Sequence, residues 1–271
     1  MKKNLKMSAA ILAAVMVMGS LTACGGSSSD PTTAAAQDTT AAAADSGSTA
    51  AAESGSATGE YEGLEDDLAY NIAGKIFGCT PDEAKEKKLV EFQGVTAKTR
   101  GPLVENGELD MVIATFTITE ERKETYNFST PYFTDAVGLL VLKDSGINSI
   151  EDLDGKVIGV AQGSTSQKGF EAYVAEKGIN VKPTFEEFDG YPALAAALSA
   201  KNIDVFSVDR AILAGYRDDT NKLLDDRYAE QEYGVCTKKE NTGLAELVDG
   251  VVTDLKDSGK LAEMIKDWGI E

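Results

Sequence analysis

The sequence predicts an α/β protein with mostly parallel sheets, and three observations carry that expectation. From about Glu60 onward, apolar runs of strand length alternate with segments of helix length. Three of the runs, "LDMVIA", "KVIGVA" and "IDVFSV", lead straight into hydroxyl, glycine or charged groups. In open α/β sheets, ligands sit beyond strand carboxyl ends of this kind. No later segment is apolar over a length that would span a bilayer.

Taken in order, the pattern predicts a helix over Leu64–Phe77, a strand near Lys88–Phe92, a helix near Arg100–Glu105, a strand over Leu109–Ala114 and a helix from Glu120. "AVGLLVLK" and "KVIGVA" follow as strands, then a helix from Ser166, a strand at "KPTFEEF" and a helix over Tyr191–Ala200. The strand "IDVFSV", a helix over Arg210–Tyr216, the extended "EQEYGVCTKK" and helices over Leu244–Ser258 and Leu261–Trp268 complete the series.

The N-terminus reads differently. "MKKNLKMSAAILAAVMVMGSLTACGG" has a basic start and an apolar stretch, then Leu-Thr-Ala-Cys. It resembles the lipobox of bacterial lipoproteins, which implies cleavage after residue 23 and a diacylglycerol on Cys24. An ordinary signal peptide with a chance cysteine is the alternative. Gly25 to Gly59 contains no Val, Ile, Leu, Met, Phe, Tyr or Trp, so it reads as a disordered tether over 24–59 that cannot bury enough surface to offset its ordering entropy. Cys79 and Cys236 remain, and two separate thiols are the expected state over a disulfide.

The 271 residues carry 45 acidic and 26 basic side chains, no His and a net charge of −19. Such a polyanion repels nucleic acid and anionic lipid. Without imidazole, Ser-His-Asp and Cys-His nucleophiles and His-ligated zinc are excluded. The chain also has no GxxxxGK[ST], GxGxxG or CxxC. The expectation is a protein that is no enzyme, holds no cofactor or metal, and takes small molecules or proteins as partners.

The candidate chemistry sits at the strand ends. Arg122 lies in what reads as a first helical turn, where the macrodipole favours acids, so it needs a negative partner. A guanidinium grips a carboxylate in two-pronged fashion; an exposed salt bridge to Glu120 or Glu121 is the plainer reading. Asp209 ends an apolar strand and needs a cation, which a ligand ammonium or the adjacent Arg210 could supply. Gly163-Ser164-Thr165-Ser166 joins a strand to a helix, where unpaired N–H groups would face an anion or simply form a cap. An α-amino acid supplies both missing charges, carboxylate for Arg122 and ammonium for Asp209.

"GELDMVIATFTITEERKETYNFSTPYFTDAVGLLV", "LDGKVIGVAQGSTSQK" and "IDVFSVDRAILAGY" resemble family 3 extracellular solute-binding proteins for polar amino acids, the receptor subunits of ABC importers. The resemblance covers about Glu60 to Glu271, and "TAKTRGPL" and "FSVD" look closest to the aspartate/glutamate binders among them. It implies a type II periplasmic-binding-protein fold, with one discontinuous lobe over 60–138 and 234–271 and a second over 139–233. "AVGLLVLK" and "EQEYGVCTKK" would cross between the lobes. It further implies that Arg122 clamps the ligand α-carboxylate with Thr117 and N–H groups around Ser164 and Thr165. Asp209 would take the ammonium with the Thr115 region and Thr117, Arg100 would reach a side-chain carboxylate, and Tyr191 would line the second lobe. Taken without the family, Arg100 is a surface cation at a helix start.

The implied protein is a monomeric receptor on the outer face of the cell membrane, extracellular or periplasmic, held by the lipid on Cys24 and delivering aspartate or glutamate to a permease. The alternatives are glutamine or another polar amino acid as ligand, a sensory or adhesive lipoprotein, or a same-fold dehydratase-type enzyme. One departure stands out: the tether occupies the place of the strand that normally precedes "YEGLEDDLAYNIAGKIFG". Three accounts stay open, in order: a segment lost from the sequence, a true deletion with a damaged pocket, or another strand filling the gap. A lobe lacking its central strand is expected to bind weakly or not at all.

Overall fold

The computed structural model describes the backbone of residues 13–17 and the chain from 61 to 270. Cys24 and the tether lie outside the described residues. The first element is β1 (Ala13–Val17), followed by α1 (Leu64–Phe77). Helix α1 begins with Glu65, Asp66 and Asp67, buries Leu64, Leu68 and Ile72, and stops at Gly78, whose φ of 66° suits glycine. The short α2 (Pro81–Glu86) is closed by a capping box between Thr80 and Glu83. Next come β2 (Val90–Gly94), α3 (Arg100–Glu105), β3 (Met111–Ile113), α4 (Glu120–Thr125) and β4 (Tyr126–Phe128).

The ten-residue β5 (Phe133–Leu142) carries the chain into a second sheet. After a 3-10 turn over Ile150–Leu153 come β6 (Val157–Ala161), α5 (Ser166–Lys177), β7 (Thr184–Phe188), α6 (Tyr191–Ser199), β8 (Val205–Asp209) and α7 (Arg210–Gly215). Then β9 (Asn221–Leu223) and β10 (Tyr228–Tyr233) lead back to β11 (Cys236–Lys238) in the first sheet, and α8 (Thr242–Asp257) and α9 (Lys260–Trp268) pack on α1. Strand orders are β2-β1-β3-β11-β4 and β10-β5-β8-β6-β7, with β9 beside β5. The chain passes from the first sheet to the second between β4 and β5 and returns between β10 and β11.

The described pairs of the first sheet are all antiparallel and the second sheet is mixed, which corrects the expectation of mostly parallel pairing. Only β6–β7 and β6–β8 are parallel; the other described pairs are antiparallel. The strands that carry the chain between lobes, β5 and β10, run back along their neighbours and so pair antiparallel, a direction that apolar runs alone do not encode. Cys79 and Cys236 are both free thiols, and Cys236 is fully buried.

The gap in the first lobe is filled, the last of the three accounts. Strands β2 and β3 point the same way, and Ala13–Val17 lies between them antiparallel to both, with Val15 opposite Phe92 and Met111. The filling strand comes from the apolar stretch that otherwise reads as a leader. Without it, β2 and β3 would each present an unpaired edge, and the first sheet would be split. A chain beginning at Cys24 should therefore be less stable in urea than the full chain produced without export, by about 5 kcal/mol or more, a large part of a domain's total. Equal denaturation midpoints would show that β1 contributes nothing.

Candidate functional site

The two lobes meet where β3, β6 and β8 end. After β3, Thr115 has φ 45°, a left-handed conformation uncommon for a β-branched residue. Its N–H donates to Glu65 Oε1 at 2.7 Å, which also accepts the Tyr132 hydroxyl at 2.5 Å. Burial pushes the Glu65 carboxyl up, against the pull of these donors and of Arg100. The Thr115 hydroxyl is buried without a hydrogen-bond partner among the described residues, and so is Arg100 Nε.

Arg100 opens α3 and is 3% exposed, so it is no surface cation. Its Nη1 donates to the carbonyls of Ala114 at 2.6 Å and Thr115 at 3.2 Å. Arg122, the third residue of α4, donates from Nη1 to Thr117 O at 2.7 Å and from Nη2 across the lobes to Gly163 O at 3.0 Å. Each guanidinium carbon stands 4.5 Å from the centroid of the Phe116 ring. The surface-pair reading of Arg122 fails, because Glu120 pairs with Lys123 and Glu121 with Lys168. Partial negative charge on carbonyls and ring holds Arg122 in place. Burial, with Arg100 nearby, lowers its pKa to about 10.

Asp209 closes β8 at 7% exposure. The adjacent Arg210 does not serve it, because that guanidinium donates to the carbonyls of Leu224 and Asp226. Burial is the main reason its carboxyl is pushed up to about 7; Asp135 adds to the rise, while the Tyr233 hydroxyl, Arg100 and Arg122 oppose it. No arginine forms an ion pair with Asp209 among the described residues. Opposite charges thus lie within electrostatic range of one another without direct contact.

At the end of β6, Gly163 has φ 76°, and a Cβ there would sit 3.0 Å from Ala97 O and Lys98 Cα of the other lobe. Lys98 reaches Gln162 at 2.8 Å and Asp189 at 3.7 Å, while Lys168 meets Glu121 at 2.8 Å. The lobes are in contact along this seam. The Ser164 N–H is spent on Ala161 O at 3.1 Å, so it is not the unpaired donor the sequence suggested. Thr165 precedes α5 without capping it. Tyr191 packs in the core at the start of α6, its ring 6.4 Å from Phe206.

The structure therefore brings Arg100, Thr115, Thr117, Arg122, Ser164, Thr165 and Asp209 to one seam and sets Tyr191 in the core beneath it. Sequence reasoning missed Glu65, Phe116, Asp135, Gln231 and Tyr233. Only Glu65 carried a signal, as an acid in a first helical turn; the others are ordinary strand or loop residues until the fold brings them together.

The proton on Asp209 should be measurable as pH-dependent stability. Its folded pKa near 7 lies above the ordinary 3.8, so its contribution is complete below about pH 4 and is lost as pH rises through 7. Asp209→Asn removes that slope. Relative to the parent, the variant should gain on the order of 1–3 kcal/mol between pH 4 and pH 8 in urea titrations. A pH-independent difference would place the Asp209 pKa near its usual value.

Comparison with known proteins points one way. Residues 45–271 match the model for bacterial extracellular solute-binding proteins, family 3. The glutamine-binding protein of Geobacillus stearothermophilus is 40% identical over 68% of this chain and 66% of its own. The glutamate-binding protein GluB of Corynebacterium efficiens is 27% identical over 97% of this chain and 90% of its own. Among solved structures, an ancestral arginine-binding protein bound to glutamine superposes with a TM-score of 0.65 at 29% identity, covering 79% of this chain and 91% of that one.

Proposed function

Because the chain belongs to the family 3 bacterial extracellular solute-binding proteins, we propose that this amino acid ABC transporter receptor captures an acidic amino acid, glutamate or aspartate, between its lobes. One observation carries the acidic reading: two guanidiniums, Arg100 and Arg122, stand over the Phe116 ring within electrostatic range of Asp209, while burial pushes the Glu65 carboxyl near Arg100 toward its neutral form. A zwitterion satisfies Arg122 and Asp209, and a second carboxylate matches the remaining positive charge. Arg122 takes the α-carboxylate, Asp209 the ammonium, and Arg100, through its unpartnered Nε, the side chain. Thr115, Ser164 and Thr165 border the ligand, and Tyr191 supports the floor of the second lobe.

Glutamine is the second reading, favoured by Glu65. Its carboxylate is close enough to Arg100 to feel its charge, and once ionised it would neutralise that guanidinium and leave a site balanced for a neutral side chain. The glutamine-binding relative points the same way.

Anchoring by a lipid on Cys24, at the outer face of the membrane, rests on the Leu-Thr-Ala-Cys run. No described helix is long and apolar enough to cross a membrane. The tether over 24–59 would let a monomer reach the permease, with the lobes divided at about 138 and 234. Cleavage before Cys24 removes Ala13–Val17, so the anchored form and the form with β1 in place are different molecules, and the anchored one should bind weakly.

Titration calorimetry on the full chain tests the reading. L-glutamate should bind more tightly than L-glutamine, and Arg122→Met should weaken either by on the order of a hundredfold or more, because it leaves a buried carboxylate unpaired. Preference for glutamine would decide for the second reading, and full affinity in the Arg122 variant would end both.

A further inference from the structure

Gln231 lies on β10, the strand that returns the chain to the first lobe, and is 2% exposed. Its Oε1 accepts the hydroxyl of Thr117, from the first lobe, at 2.7 Å and the hydroxyl of Thr165, from the second, also at 2.7 Å. Its Nε2 donates to the carbonyls of Ala229 at 2.8 Å and Glu230 at 3.3 Å. Those carbonyls accept only, so the amide cannot be turned round: its oxygen must face the threonines. The backbone is shaped for this. Ala229 has φ 46°, and the β10–β5 register shifts between Tyr228 and Glu230, a bulge that brings the Ala229 carbonyl back under the side chain.

We propose that Gln231 is a positioning residue of the ligand site, tying Thr117 of one lobe to Thr165 of the other and setting the direction in which both hydroxyls face. The proposal rests on the reading that an amino acid lies between Arg122 and Asp209. A threonine hydroxyl has one proton. With that proton spent on Oε1, each hydroxyl has only lone pairs left for the ligand, so both serve the ammonium held by Asp209. Neither donates to the carboxylate, which falls to Arg122; this revises the role that the resemblance implied for Thr117. The tie also records closure, because moving the second lobe away removes one of the two donors from a buried carbonyl.

Gln231→Leu, Thr165→Val and the double variant in the full chain test this. Calorimetry with L-glutamate and L-glutamine reads affinity, and small-angle scattering without amino acid reads separation of the lobes. Each single variant should weaken binding on the order of tenfold and raise the radius of gyration. The double should bind within about twofold of Gln231→Leu, since that substitution already breaks the contact that Thr165→Val removes. Parent affinity and parent dimensions in Gln231→Leu, or losses that multiply in the double, would overturn the proposal. If Gln231→Leu does not fold, Thr165→Val carries the test, with parent affinity and dimensions in it counting against the tie. Scattering is read without ligand, so Gln231 can be judged even if the Arg122 variant disproves the amino acid reading.

Discussion

The structure depends on charge held out of water without a direct partner. Arg100 and Arg122 share the Phe116 ring, and Asp209 closes the opposing strand. At a buried seam such charges interact more strongly than in solvent, and each would be costly if left bare. Carbonyl oxygens of Ala114, Thr115, Thr117 and Gly163 offset the guanidiniums, while Asp209 moves toward its protonated form. The compensation is incomplete on both sides. A molecule with an anionic and a cationic end, placed between them, completes it.

The elements that hold these groups were largely legible in the sequence. The helices Leu64–Phe77 and Arg100–Glu105 fall on their expected bounds, β6, α5 and α6 lie within a residue of theirs, and β8 starts two residues later than expected. Each has either a strong apolar period or a clear stop, as at Gly78. The short α2, β4 and β9 were not legible, since α2 buries only Ala84, β4 buries no residue fully and β9 buries only Asn221, so none carries an apolar run.

The site was legible where a residue broke a local rule and hidden where it obeyed one. Arg122 was conspicuous because a cation does not belong in a first helical turn, and Asp209 because a carboxylate does not belong at the end of an apolar strand. Gln231 occupies an unremarkable place between two acids in "AEQEYG", and nothing local marks it. Its significance arises from Thr117 and Thr165, which are distant in sequence and meet it only when both sheets are assembled. Arg100 shows the intermediate case: the resemblance marked it, but its carbonyl partners follow from how the chain leaves β3.

Strand β1 has a further consequence. Five residues paired with β2 along one edge, three of them also with β3 along the other, are no longer a free apolar segment that another machine can grip. The same stretch is needed free and unpaired if it is to guide the chain across a membrane. Were it to do so, secretion and self-assembly would draw on one short piece of polypeptide, and whichever engaged it first would deny it to the other.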